Sequence, residues 1–303
     1  MFDISMSVTL YLTNPCWNQT KNSFKYNNMM ILTVLKRAIL SRLTLNKVHT
    51  PSAPQKYGNS YALSGCGWLI PFYFGVINSM KARGVMNNTS TFAGTSAGSL
   101  AALVACCNVD CQEVMIAMVK LAKDKEFQSD RTIGLKKILS KVLPSNALEL
   151  CQGRLHVTMT KVWPSPENDA VIVSKFSSID HLIDVVAASC CIPFYSSPKL
   201  ATQIGKHPEL YIDGGVFAFM PPIGDVTISP FPQRFIYELL PIKPDPKTYR
   251  PACIFLSKTD YPLHKLLSWV LIPPEEEDMW ALYHKGEEAA GKWMDSHLPP
   301  PAH

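Results

Sequence analysis

Acidic residues are nearly missing from the first third of this 303-residue chain: Asp3 is the only one before Asp110. Nine Lys and Arg residues share that stretch, so it carries about +8, and the remainder sums to about −3 to reach the net +5. Charged residues make up only 17% of the whole, below the usual quarter. No Lys/Arg-rich run and no nucleic-acid motif accompanies this imbalance, so the basic front end suits an anionic membrane surface and not nucleic acid. No apolar run reaches the roughly 20 residues that span a bilayer. C-x-x-C pairs are missing, as is any His/Cys cluster at zinc spacing. The nine cysteines, an odd number, therefore read as small core thiols of a reduced, intracellular protein. No metal and no cofactor is expected, and no internal repeat shows.

What is present is ample apolar material: 47% of residues are hydrophobic, enough for a substantial core. Three segments divide the chain. Residues 1–58 form a basic extension. Within it, 29–45 set Lys36, Arg37 and Arg42 among apolar residues at roughly helical spacing. That stretch reads as an interfacial amphipathic helix, as part of a basic transit sequence, or as an ordinary packed helix. Residues 59–225 hold every motif. Residues 226–303 complete or extend the domain with a strand and helices, one of them over 275–294.

The motifs begin with a short strand over 61–64 that enters Gly65-Cys66-Gly67. Pro71 then suits the first turn of a helix running to about residue 83. A glycine-rich strand-to-helix turn presents backbone N–H groups, which can hold a phosphate or an oxyanion. It is not a Walker loop, because the Gly-Lys-Ser/Thr ending is absent. A second strand, 91–93, leads into Gly94-Thr95-Ser96-Ala97-Gly98 and a small-residue helix over 97–107. G-x-S-x-G between a strand and a helix is the pattern of a nucleophile elbow. Asp110 caps a further helix ending at 123. Residues 124–153 read as a polar, lysine-rich surface insertion with one helix near 135–142. Strands are expected at 155–162 and 170–173, and a helix over 179–189. Residues 210–213 then deliver Asp213 into Gly214-Gly215, and a carboxylate at a strand end can take a proton from a serine beside it.

In this order the residues resemble the patatin-like phospholipase family from about 61 to 222. Its oxyanion loop is similar to Gly65-Cys66-Gly67-Trp68-Leu69, its elbow to Gly94–Gly98, and its Asp-Gly motif to Asp213-Gly214-Gly215. Residues 187–194 also resemble the segment that precedes the family's aspartate. Cys66 and Leu69 lean toward the adipose triglyceride lipase branch. The resemblance implies a three-layer α/β fold with a mostly parallel central sheet flanked by helices. It implies a Ser96–Asp213 dyad, an oxyanion hole from Gly65, Cys66 and Gly67, and an acyl-enzyme formed on triacylglycerol or phospholipid. The enzyme would meet its lipid at a membrane or lipid-droplet surface, peripherally. Two departures stand out: Ile70 where the loop ends in glycine, and Phe217–Pro221 where an asparagine before proline is usual. Alternatives are a Ser-His-Asp triad using His264, His284 or His297, a lipid acyltransferase, and a catalytically silent lipid-binding protein.

Overall fold

The computed structural model describes residues 59–298 apart from 165–169, 207, 234 and 236–251. The chain divides into Met1–Val48 and His49–His303, and all described residues belong to the second unit. The basic extension, with its stretch 29–45, lies outside them.

Among the described residues, eight strands build one sheet: β1 (Ser60–Leu63), β2 (Thr91–Thr95), β3 (Leu155–Trp163), β4 (Ala170–Val173), β5 (Thr202–Gln203), β6 (Leu210–Asp213), β7 (Val226–Ser229) and β8 (Ala252–Phe255). Their order is β5-β6-β3-β2-β1-β7-β8, with β4 on β3 outside this path. β3, β2, β1, β7 and β8 run parallel. Tyr61, Ala62 and Leu63 follow one another in β1, and each is at most 2% exposed. Strand side chains alternate between faces, so burial of all three means both faces of the sheet are covered. This is the three-layer α/β arrangement.

The covering helices are α1 (Pro71–Ala82), α2 (Ala97–Cys106), α3 (Cys111–Lys123), α4 (Lys125–Ser129), α5 (Arg131–Val142), α6 (Ala147–Cys151), α7 (Ile179–Ser189), α8 (Leu263–Leu271) and α9 (Glu276–His297). Pro71 opens α1, and the Asp110 side chain accepts from the Gln112 and Glu113 N–H groups at the start of α3. The stretch expected to hold one helix holds three. Asp124 accepts from Glu126 and Phe127, and Asp130 accepts from Ile133, so each aspartate starts a helix of its own. Nor is the stretch wholly superficial, because Leu139 reaches the core. No described helix is long and apolar enough to cross a membrane.

β3 organises the site end of the sheet. Val157 and Thr158 pair with Gly94 and Thr95 of β2, whereas Met159 and Thr160 pair with Asp213 and Ile212 of β6. All four residues also pair with β4. A strand residue has one partner per edge, so β4 takes one edge and β2 and β6 share the other, end to end. β2 runs parallel to β3 and β6 antiparallel. Their carboxyl ends therefore meet between Thr158 and Met159, pointing at each other.

Candidate active site

Ser96 sits where β2 becomes α2, with φ 55° and ψ −129°. A side chain at positive φ is strained, and such strain persists only where the surroundings impose it. Here they do. The Ser96 N–H donates to Ser189 Oγ at 2.9 Å, and the Ser189 hydroxyl donates onward to Thr158 O at 2.8 Å. The N–H and hydroxyl of Ser99 both donate to Ser96 O, at 2.8 and 2.6 Å. α2 also lies hard against the end of β1. A Cβ on Gly98 would fall 2.5 Å from the carbonyl oxygens of Leu63 and Ser64, so only glycine fits.

Asp213 is 5% exposed. Its N–H donates to Cys191 O at 2.8 Å, and its carbonyl accepts the Thr160 hydroxyl at 3.0 Å. Oδ1 accepts the Gly215 N–H at 2.7 Å, and Oδ2 is buried without a hydrogen-bond partner. Burial pushes the carboxyl up to about 6, while the Ser96 hydroxyl and the Gly215 N–H pull the other way. The carboxyl thus feels the Ser96 hydroxyl, although the contact falls short of a formed hydrogen bond. The thiols of Cys66, Cys190 and Cys191 lie near enough to the carboxyl to feel its charge. Burial raises all three, the charge on Asp213 raises them further, and they stay neutral.

The Gly65–Gly67 turn passes directly beside the elbow: a side chain begun at Gly65 would lie 3.7 Å from Ser96 Cβ. The Gly65 N–H is engaged, donating to Phe219 O at 2.8 Å. The N–H groups of Cys66 and Gly67 make no hydrogen bond among the described residues. Gly67 has φ +56°, and a Cβ there would stand 1.8 Å from Val270 O of α8. Ile70 needs no glycine, since its backbone is right-handed helical and its side chain enters the core at the head of α1.

The residues after Asp213 act through their backbone. Ala218 O accepts the Thr95 hydroxyl at 3.0 Å, and Phe219 O holds Gly65. Apolar side chains at 217–221 are compatible with that work. The Phe219 ring packs on Phe231, centroids 5.6 Å apart, and makes an apolar wall beside Gly65. On the far side of the turn, Trp68 Nε1–H donates to Tyr195 OH at 3.0 Å, and that hydroxyl donates to Leu271 O. The Arg131 guanidinium lies over the Tyr195 ring, 4.1 Å from its centroid.

Sequence reading named Ser96, Asp213 and the glycine turn, and the fold brings all of them together. It gave no role to Ser189, Thr95 or Thr160. For Ser189 the cues were a small polar residue closing the apolar run Val185–Ala188 and its place in the stretch 187–194. No described histidine hydrogen bonds to Ser96 or Asp213. His284 pairs with Glu287 at 3.0 Å, and His297 stacks on Trp293 with centroids 4.9 Å apart, both on α9. His264 lies on α8.

The fold is of the patatin type, and the family's sequence profile, patatin-like phospholipase, matches residues 61–224. The match covers over half the chain and includes Gly65, Ser96 and Asp213. This chain belongs to the patatin-like phospholipase family. It is 32% identical to patatin-like phospholipase domain-containing protein 4 from Homo sapiens, over 77% of this chain and 95% of that protein. It is 26% identical to omega-hydroxyceramide transacylase from Mus musculus, over 78% of this chain and 40% of that protein. A third relative, 1-acylglycerol-3-phosphate O-acyltransferase Pnpla3 from Mus musculus, is 28% identical over 57% of this chain and 43% of that protein. The chain spans less than half the length of the latter two.

Proposed function

We propose that this chain hydrolyses fatty-acyl esters of triacylglycerol or phospholipid through a Ser96–Asp213 dyad. The observation that carries the reading is the end-to-end meeting of β2 and β6 on one edge of β3. It brings a strained serine close to a buried carboxyl whose Oδ2 has no hydrogen-bond partner. Ionised Asp213 takes the Ser96 proton as Oγ attacks the ester carbonyl. A carboxyl raised to about 6 is a stronger base than a free one and is still ionised at neutral pH. The N–H groups of Cys66 and Gly67 hold the oxyanion, each worth about 3–4 kcal/mol in comparable sites. Asp213 returns the proton to the departing alcohol, leaving an acyl ester on Ser96. It then activates water to release the fatty acid. The half-buried ring of Phe219, backed by Phe231, suits an acyl chain.

Two relatives carry transacylase or acyltransferase in their names, which supports a second reading: a lipid alcohol replaces water as acceptor. Both readings share the first half-reaction. A fluorophosphonate probe should label Ser96 on the purified protein, and Ser96→Ala should abolish labelling and ester hydrolysis without unfolding. Undiminished turnover in that variant overturns the dyad. Supplying a mono- or diacylglycerol and measuring new ester against free fatty acid separates hydrolysis from transfer.

A further inference from the structure

Tyr73 sits in the first turn of α1 and is fully buried. Phe72 and Phe74 beside it are buried as well, and a third phenylalanine would fill the same space. What tyrosine adds is a buried hydroxyl, which costs free energy unless it is hydrogen-bonded. That hydroxyl reaches back to the residue after β1. It donates to Ser64 O at 2.8 Å and meets Ser64 Oγ at 2.8 Å. Ser64 Oγ lies 2.9 Å from Ser229 Oγ at the end of β7, and Ser229 Oγ accepts the Phe231 N–H at 3.3 Å. Both serines are fully buried. One arrangement of protons satisfies the whole chain. The Phe231 N–H donates to Ser229, the Ser229 hydroxyl to Ser64, the Ser64 hydroxyl to Tyr73, and the Tyr73 hydroxyl to the Ser64 carbonyl. Burial pushes the Tyr73 hydroxyl well above its ordinary value, so it stays a donor.

The chain ends on a peptide that leads straight into the glycine turn. Ser64 C=O and Gly65 N–H are the two ends of one planar unit. The carbonyl accepts the Tyr73 hydroxyl, and the N–H donates to Phe219 O at 2.8 Å. Gripped at both ends, the plane cannot turn, and it sets the direction in which the backbone enters Cys66 and Gly67. The elbow bears on the same carbonyl, because a Cβ on Gly98 would fall 2.5 Å from Ser64 O.

We propose that Tyr73 is a positioning residue: its hydroxyl fixes the Ser64–Gly65 peptide and, through it, the aim of the Cys66 and Gly67 N–H groups beside Ser96. The catalytic consequence rests on the acyl-hydrolase reading; the hold on the peptide does not. The test compares the full chain with Tyr73→Phe and Ser229→Ala. Each variant breaks the buried chain, so both should melt lower than the parent, but only Tyr73→Phe takes the donor from Ser64 O. On a short soluble ester, Tyr73→Phe should lower kcat roughly tenfold or more, part of what one lost oxyanion donor costs, with KM and the pH midpoint unchanged. Ser229→Ala should keep kcat within about twofold. Amide hydrogen exchange reads the peptide without turnover. The Gly65 N–H should exchange roughly tenfold or more faster in Tyr73→Phe, over and above any rise at the amides of β3, and should not do so in Ser229→Ala. It therefore decides the role of Tyr73 even where Ser96→Ala turns over like the parent and the dyad fails. Gly65 exchange that rises no more than that of β3 overturns the proposal. So does a Ser229→Ala variant matching Tyr73→Phe in kcat and Gly65 exchange, which would make the effect general damage to the core. A Tyr73→Phe chain that does not fold overturns it too, since the hydroxyl would then serve the core and not the turn.

Discussion

Asp213 is held at a cost to the fold. Burial lifts its folded-state value from 3.8 to about 6, so between these pH values the folded chain binds more protons than the unfolded chain. Stability therefore falls as pH rises through that window, and above it the whole penalty, about 3 kcal/mol at most, is in force. Asp213→Asn removes the charge and keeps an acceptor for the Gly215 N–H. We expect this variant to lose ester hydrolysis, yet to melt higher than the parent at pH 8 and close to it below about pH 4. Thermal unfolding across that range checks it, and an unchanged or lower melting point at pH 8 counts against a buried, ionised Asp213. Activity runs the other way, since only the ionised base works: kcat/KM should drop as pH falls through about 6. Ser189 gives the complementary residue-scale case. Ser189→Ala leaves the Ser96 N–H buried and unpaired, a loss of about 1–3 kcal/mol that falls on the geometry of the nucleophile. We expect kcat and fluorophosphonate labelling to drop roughly tenfold or more with KM little changed, and Ser189→Thr to recover part of the loss. Equal labelling rates in parent and alanine variant would show that the elbow holds its shape without this bond.

The glycine turn and α8 behave as one element. Gly67→Ala puts a methyl group 1.8 Å from Val270 O and forces φ +56° on a residue with a side chain. The turn must move off α8 to relieve this, taking the proposed oxyanion donors with it. Hydrolysis of even a short soluble ester should fall by roughly two to three orders of magnitude, the scale for one lost donor. A soluble-ester rate within a few-fold of the parent would mean these N–H groups are not what holds the oxyanion. What was legible in the sequence follows from range. The elbow, the glycine turn and the Asp-Gly corner are each written in a few adjacent residues, because each solves a local steric problem with small side chains. β6 running antiparallel and abutting β2 was not legible. That pairing depends on β3 being nine residues long and outrunning its parallel neighbour, a matter of long-range register. The carbonyls of Ala218 and Phe219 were equally hidden, since any residue supplies a carbonyl, and the missing asparagine drew attention to side chains instead. Residues 124–153 were read too simply because Asp124 and Asp130 looked like surface polarity and in fact begin separate helices.

At the scale of the whole chain, the two signs of charge are set apart. The basic excess lies before Asp110, most of it in the first 58 residues, whereas the rest of the chain is net acidic and holds Glu275, Glu276, Glu277 and Asp278 in one run. Two kinds of lipid attachment should therefore separate by salt. Each well-placed Lys or Arg adds about 1 kcal/mol of attraction to an anionic bilayer, and salt screens it. Apolar burial is not screened. We expect the full chain to bind vesicles containing phosphatidylserine more tightly than pure phosphatidylcholine at low salt, with the difference vanishing near 1 M NaCl. Removing residues 1–48 should abolish that salt-dependent increment. It should leave the phosphatidylcholine-bound fraction and soluble-ester hydrolysis unchanged, because every motif residue starts at Gly65. Flotation of both proteins at two salt concentrations, with the ester assay alongside, decides the matter. An increment that survives the deletion moves the electrostatic contact to the catalytic unit. Loss of soluble-ester activity makes residues 1–48 part of what keeps that unit folded.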